Sequence, residues 1–313
     1  MKKPIIALLG GGNSLERKVS LNTSKQIQKA LLKAEYEIIF YDPKTDLIKL
    51  TEDWQANRFD IAIPALHGKG GEDGTIQGFL ESLGIPYVFS GVEASSIAMN
   101  KYVTTSIAKR LGLKIAENIL ISDISELDKT QAENLNLPLV IKPNHGGSSV
   151  QMNIIDSLDN LKADVATILE SGDQALLESF IIGRELTVTI LGNGATSKAM
   201  PIIEILPRKN KFYDYESKYS PGGSEHICPA KIPSNIADRA QAQALKIYRQ
   251  LNIKDLARID FIYNEQQAEI YFLEVNTIPG MTATSLAPES ASKVGISFIE
   301  LLEKLINYNY NKS

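Results

Sequence analysis

Apolar and polar positions in the first third of the chain follow a strand–helix–strand cycle. The apolar run "IIALLG" is followed by an amphipathic stretch over about residues 20–32, by "YEIIFYD" and "DIAIPALHG", by a second amphipathic stretch over 75–83, and by "PYVFSG". Short apolar runs ended by glycine or polar turns suit strands buried on both faces, and the stretches between them suit covering helices. Alternation of the two predicts an α/β unit over residues 1–98, built on a parallel sheet whose ligands gather at the carboxyl ends of the strands. Two of the loops at those ends are glycine-rich, "GGGNSLER" and "HGKGGEDG".

Residues 99–182, with "LPLVIKPNHGGSSV" and "QALLESFIIGRELTVTIL" running on past their end, predict a small α+β unit. Residues 183–313 are richer in strands. They include the polar, aromatic interruption "RKNKFYDYESKYSPGGSEH", a helix over about 235–251, the hairpin "LARIDFIYNEQQAEIYFLEVN" and a closing helix. An interruption of that length inside a compact region is a functional or a disordered loop, and it places a mobile loop at about 208–226.

The hairpin carries the first chemical signal. Arg258 and Asp260 are two residues apart, as are Glu274 and Asn276. Side chains alternate along a strand, so each pair shares a face. If the strands pair with Asp260 opposite Glu274, Arg258 falls opposite Asn276 and four polar groups gather on one side. Two carboxylates that close repel unless a cation lies between them. Carboxylate and amide oxygens without nearby His or Cys suit Mg²⁺ or Mn²⁺ better than Zn²⁺. The competing reading is a solvated outer face on which Arg258 neutralises the acids.

Magnesium held by few protein ligands completes its shell with phosphate oxygens. "LVIKPNHGGSSV" offers a place for them: a strand ending at Lys142, then two glycines and two serines. Glycine lets backbone N–H groups approach an anion, and lysine adds a point charge. The stretch is not G-x-x-x-x-G-K-[ST], and "GGGNSL" fails G-x-G-x-x-G because Leu15 stands at the last glycine.

Composition narrows the classes. Among 313 residues, 43% are hydrophobic and 22% charged, with a net charge of −4. This excludes a mainly disordered chain and gives no footprint for nucleic acid. A single cysteine, Cys228, allows no intrachain disulfide and points to a reducing, cytoplasmic setting. The opening "MKKPIIALLGGGNS" lacks a cleavage-site pattern and reads as a first strand, and no stretch approaches the roughly 20 apolar residues that span a bilayer.

In order along the chain, "GGNSLERKVSL", "ALHGKGGEDGTIQGFLESLGIPYVFSG", "MNKYVT", "VIKPNHGGSSV", "FYDYESKY", "ARIDF" and "LEVNTIPGMTATSL" resemble the ATP-grasp superfamily and, within it, the D-alanine:D-alanine ligases. The resemblance implies an ATP-grasp fold: an N-terminal parallel-sheet (Rossmann-like) domain, a small lid domain and a C-terminal catalytic domain. It implies ATP-dependent joining of two D-alanine molecules through a D-alanyl phosphate, for peptidoglycan precursor synthesis. Two Mg²⁺ or Mn²⁺ ions, held by Asp260, Glu274 and Asn276, and a homodimer formed through the first domain are further implications.

Carried over residue by residue, Lys101 and Lys142 would contact nucleotide phosphates and Lys218 the γ-phosphate. In "ESFIIGRE", Glu178 and the backbone of Phe180 and Ile181 would meet adenine, and Glu185 the ribose. Glu16 would orient the first D-alanine's ammonium with Ser148 and Tyr219, and His67 would lie near that alanine's carboxylate. Arg258 and the N–H of Gly280 would stabilise the oxyanion. Ser285, otherwise a plain helix N-cap, and the backbone of Leu286 would receive the second alanine's carboxylate. The loop "FYDYESKYSPGG" would close over the reacting groups and exclude water. His145 and Cys228 match no role. The alternatives are a relative using D-lactate or another acceptor, and a non-catalytic nucleotide-binding protein, which should lack a metal ligand or a phosphate lysine.

Overall fold

The computed structural model describes residues 3–146, 151–207, 223–282 and 285–310. In the first third, β1 (Ile6–Leu9) lies between β2 (Ile38–Tyr41) and β3 (Ile61–Pro64), all parallel. The expected strand at "PYVFSG" is reduced to one parallel bridge between Ala62 and Tyr87. Pro86 has no N–H to give a ladder, and Phe89 adopts φ 81°, a left-handed conformation that turns the chain away.

The first helix runs Arg17–Lys33, starting earlier than the apolar pattern implied. Its first turns bury Ser20, Thr23 and Ser24 instead of aliphatic side chains, while Leu15 just before it is exposed. Hydrophobic periodicity cannot register a buried face made of hydroxyls. Helix Leu47–Gln55 buries only Leu50 and Asp53, too little for the pattern to reveal it.

Helices Val92–Met99 and Lys101–Arg110 then lead to β4 (Lys114–Ile115) and β5 (Asn118–Ile121). β5 joins β6 (Leu139–Pro143), β7 (Asn153–Ile155) and β8 (Ala175–Ser179) in an antiparallel sheet of order β5-β8-β6-β7. Helix Leu161–Glu170 covers it, burying Leu161, Val165 and Ile168 against Ile121, Leu139, Ile141 and Leu177.

The largest sheet is assembled from β9 (Arg184–Leu191), β10 (Lys198–Ala199), β11 (Ile203–Pro207), β12 (Ser224–Ile227), β13 (Leu256–Asn264) and β14 (Glu269–Asn276). Its order is β12-β11-β9-β13-β14-β4, with β10 paired to β9. Helix Ser234–Gln250 places Ile236, Ala240, Ala244, Ile247 and Tyr248 on one stripe. That stripe shares a core with Ala94, Ala98 and Ala108 from the two helices preceding β4. The last helix, Phe298–Tyr310, returns to the first sheet and buries Leu301, Leu302, Leu305 and Ile306 with Ile6, Leu8, Ile27 and Leu31. No helix of the described residues is long and apolar enough to cross a membrane.

Candidate active site

The hairpin adopts the register that collects its polar groups: Arg258 pairs with Asn276 and Asp260 with Glu274, and a bulge follows Asp260. This face is not solvated. Asp260 is only 4% exposed, and its carboxylate accepts from Arg258 Nε at 2.9 and 3.2 Å, from Arg258 Nη2 at 2.8 Å and from Thr187 Oγ1 at 2.6 Å. Glu274 lies 3.6 Å from the Lys101 ammonium. Asn276 Oδ1 accepts the N–H of Ile278 at 3.0 Å, which bends the chain into "TIPG". Neutralisation of Asp260 by Arg258, the bland reading of the pair, is thus real, but it happens in a buried setting where it is energetically consequential. Among the described residues no three His, Cys, Asp or Glu side chains converge. The oxygen set here is two carboxylates and one amide.

A cleft of about 260 Å³ opens beside the hairpin. Of the residues expected at the site, Glu16, His67, Lys101, Arg258, Glu274, Asn276, Gly280, Ser285 and Leu286 line it. Asp260 does not; it sits behind Arg258. Ser148, Lys218 and Tyr219 lie outside the described residues, as does most of the expected mobile loop.

The two glycine loops of the first sheet hold the donor side together. Ser14 Oγ donates to the carbonyl of His67 at 2.6 Å and accepts from the N–H of Glu16 at 3.2 Å. Gly68 is at φ 71°, and a Cβ there would stand 2.5 Å from Glu16 Oε2, so only glycine admits the Glu16 carboxylate so close. Asp42, which no sequence motif marked, accepts from Gly12 N at 2.9 Å and from Arg17 at 3.1 and 2.6 Å, tying the first glycine loop to the helix that Glu16 begins. Burial pushes its carboxyl up, but the bonds from Arg17 and Gly12 outweigh this and hold it at about 2.

His67 is buried, with Nε2 3.1 Å from Thr23 Oγ1. Desolvation, helped by the charge of Arg258, lowers it to about 4, so the ring is neutral at physiological pH. Glu72, another residue not singled out from the sequence, joins the cleft and accepts the N–H of Gly68 at 2.6 Å. Burial first, then the neighbouring Glu16 carboxylate, raise it well above the usual carboxylate range.

Lys101 is placed by a hydrogen-bond network. Asn100 Oδ1 caps its helix, accepting from Val103 N at 3.0 Å. The buried amide of Asn144 accepts from Tyr102 N at 2.9 Å and donates to Asn100 Oδ1 at 3.1 Å and Gln174 Oε1 at 3.0 Å. Lys101 Nζ donates to the carbonyl of Gly146, at the start of the glycine pair after β6. The expected phosphate lysine and phosphate loop thus touch.

Among the described residues, the other positions expected at the nucleotide, Lys142, Glu178, Phe180, Ile181 and Glu185, do not line the cleft. Lys142 on β6 pairs with Glu178 on β8 at 2.5 Å. Phe180 N already donates to Pro138 O at 3.1 Å, and Phe180 and Ile181 belong to the crossing from β8 to β9, where Glu185 stands opposite Ile205 and Ile262. At the other end, a Cβ on Gly280 would stand 3.0 Å from Ser285 Oγ. Ser285 begins helix Leu286–Ser292 but its hydroxyl does not cap that helix; it turns back, accepting from Thr282 N at 3.1 Å. Burial, with the Glu289 carboxylate, pushes the Cys228 thiol up to about 11, which suits a packing role better than a nucleophile.

Comparison with known proteins accounts for this arrangement. The family model described as D-ala D-ala ligase C-terminus matches residues 107–307, and that of the D-ala D-ala ligase N-terminus matches 42–90. The D-alanine–D-alanine ligase of Syntrophobacter fumaroxidans is 45% identical over 309 residues, 97% of each chain. That of Carboxydothermus hydrogenoformans is 42% identical over 96% of each. Among solved structures, the Bacillus anthracis D-alanine–D-alanine ligase complexed with ATP aligns at a TM-score of 0.84 and 33% identity, covering 98% of this chain and 97% of its own. The VanG D-Ala:D-Ser ligase of Enterococcus faecalis aligns at 0.81 and 28% identity, covering 99% and 100%. With sheets, cleft and relatives in agreement, the fold is ATP-grasp and the chain belongs to the D-alanine–D-alanine ligase family.

Proposed function

We propose that this enzyme joins two D-alanine molecules with ATP, releasing ADP and phosphate, to make D-alanyl-D-alanine for peptidoglycan precursors. The observation that carries the reading is the single cleft in which Glu16 and His67 from the glycine loops meet Lys101, Arg258 and Glu274. Such chemistry needs positioning and charge neutralisation more than a covalent nucleophile. A carboxylate oxygen of the first alanine attacks the γ-phosphorus of ATP and ADP leaves. The second alanine's amine then attacks the carbonyl carbon of the acyl phosphate, a proton is lost from nitrogen, and phosphate departs.

Glu16 orients the first ammonium, with Ser148 and Tyr219 as its partners, and neutral His67 lies by the first carboxylate. Arg258 and the N–H of Gly280 receive the oxyanion, a role in which one lost donor costs roughly 100- to 1000-fold. Ser285 and the N–H of Leu286 take the second carboxylate. Lys101, Lys142 and Lys218 serve the phosphates, and Glu178, Phe180, Ile181 and Glu185 the adenosine. Asp260, Glu274 and Asn276 offer hard oxygen donors and would hold two Mg²⁺ or Mn²⁺ ions, which supply charge neutralisation on the phosphates when bound. Glu274 and Asn276 line the cleft with oxygen donors that suit this role, and Asp260, the cross-strand partner of Glu274, would join them by exchanging Arg258 for a metal ion.

We further propose three domains, residues 1–98, 99–182 and 183–313, a homodimer formed through the first, and a cytoplasmic setting without membrane or nucleic-acid partners. The test is phosphate release with ATP and Mg²⁺, D-alanine against L-alanine. Release with D-alanine alone supports the reading, and equal or no release with both sinks it. A second reading, another acceptor such as D-serine or D-lactate, is supported by the similarity to a D-Ala:D-Ser ligase. Product analysis from mixtures decides between them.

A further inference from the structure

Besides Glu72, the cleft is lined by a titratable side chain that the roles above leave unused. His226, on β12, lines it together with Ser285 and Leu286. Its Nδ1 lies 2.7 Å from Glu289 Oε2 and its Nε2 3.2 Å from Ser224 Oγ. The two side chains are only 20% and 25% exposed, so the contact is partly withdrawn from water. A carboxylate against Nδ1 fixes both the tautomer and the plane of an imidazole, because it demands a proton on that nitrogen.

Glu289 stands in the first turn of helix Leu286–Ser292, and its N–H donates to the carbonyl of Ser285 at 2.9 Å. Whatever restrains Glu289 therefore restrains Ser285. The same helix is tied a second time to the sheet through buried Ser290, whose Oγ donates to Pro201 O at 2.6 Å. Beneath the pair, Ile205, the cross-strand partner of His226, packs with Ile203 and Leu286 in a small buried cluster. Strand, imidazole, carboxylate and Ser285 are thus joined by hydrogen bonds and packing. Glu16, Thr23 and His67 come from elsewhere, from the first sheet's loops and helix.

We propose that His226 and Glu289 are a positioning pair for the acceptor amino acid: Glu289 holds the His226 ring as a wall of the subsite containing Ser285 and Leu286, and so sets acceptor affinity and choice without affecting donor activation. This rests on the reaction proposed above. If the pair were only structural, its loss would weaken all substrates alike or lower thermal stability alone.

The test compares the full-length enzyme with His226→Ala, His226→Asn and Glu289→Gln, recording initial rates over D-alanine concentration with ATP and Mg²⁺ saturating, resolved into constants for the first and second alanine, and over ATP concentration with D-alanine saturating. A hydrogen bond to a charged group is worth about tenfold in an equilibrium constant. His226→Ala and Glu289→Gln are expected to raise the second constant by about that factor, while the first constant and that for ATP stay within about twofold. His226→Asn retains an N–H near the position of Nδ1 and recovers most of the loss, so a misfolded alanine variant does not decide the matter. With D-serine added as competing acceptor, the product ratio shifts in His226→Ala. Equal changes in both alanine constants, or an unchanged second constant, overturn the proposal while leaving the ligase reading intact. Absence of phosphate release by the wild type overturns both.

Discussion

Removing the Arg258 guanidinium tests the hairpin most severely. In Arg258→Met the Asp260 carboxylate loses three N–O contacts of 2.8, 2.9 and 3.2 Å and keeps the Thr187 hydroxyl at 2.6 Å. With the side chains only 13% and 5% exposed, water cannot replace the lost partner. Stranding a buried carboxylate in this way costs about 3–5 kcal/mol. Asp260→Asn should cost less, because Arg258 lines the cleft and lies near Glu72. The double variant should lose little more than Arg258→Met alone, so the two effects are not additive. Hydrogen exchange of peptides covering Leu256–Asn264 measures the local opening free energy without assuming that the chain unfolds in one step. A cost under about 1 kcal/mol in Arg258→Met, or strict additivity, would refute the buried pair. Added Mg²⁺ with nucleotide should recover part of the loss in Arg258→Met, where Asp260 needs a new cation.

Three further outcomes are expected. Glu274→Gln should abolish D-alanine-dependent phosphate release yet change stability by less than about 1 kcal/mol, because its contact with Lys101 is 3.6 Å long and its side chain is 31% exposed; turnover like the wild type would remove it from the metal set. His67 should make the protein acid-sensitive: its native pKa of about 4 lies below the ordinary 6.5, so its stabilisation is complete above about pH 6.5 and falls by about 3 kcal/mol as pH drops to 4. His67→Gln keeps a polar partner for Thr23 without titrating, and identical pH profiles of the melting temperature in both proteins would contradict this. Gly280→Ala should fold, since Gly280 has no left-handed φ, but its Cβ meets Ser285 Oγ at 3.0 Å and should slow turnover; undiminished product formation would separate Gly280 from the reacting groups.

The hairpin was legible in the sequence because a strand has a period of two: residues 258 and 260, and 274 and 276, must share a face, and one register unites them. Helix positions were legible where the buried stripe is aliphatic, as at Ile236, Ala240, Ala244 and Ile247. Where it is not, the first helix was begun late, its early turns burying Ser20, Thr23 and Ser24, and helix Leu47–Gln55 was missed. Sequence reading also missed every residue whose value comes from a contact between distant elements. Asp42 reaches Arg17 across two strands of the first sheet, Asn144 links Asn100 and Gln174, and His226 meets Glu289 across 63 positions. Nothing local distinguishes those side chains from solvated polar residues. The same limit explains Asp260: its place on the correct face was readable, but that Arg258 stands between it and the cleft was not.

The charges of the cleft explain why a zwitterion is welcome there. Among the described residues that line the cleft, the carboxyl groups of Glu16, Glu72 and Glu274 share it with the cations Lys101 and Arg258, the latter paired with Asp260. His67 adds no charge, since burial keeps it neutral. The raised proton affinity of Glu72 leaves it uncharged beside Glu16. An ammonium beside Glu16 would add a positive charge from the substrate, and a carboxylate beside His67 would meet a neutral ring. An amide-forming site also needs its amine uncharged at the moment of attack. A cleft that combines carboxylates, two cations and a neutral imidazole suits a ligand carrying both charges, and the glycines at 68 and 280 let backbone approach where a side chain would block it.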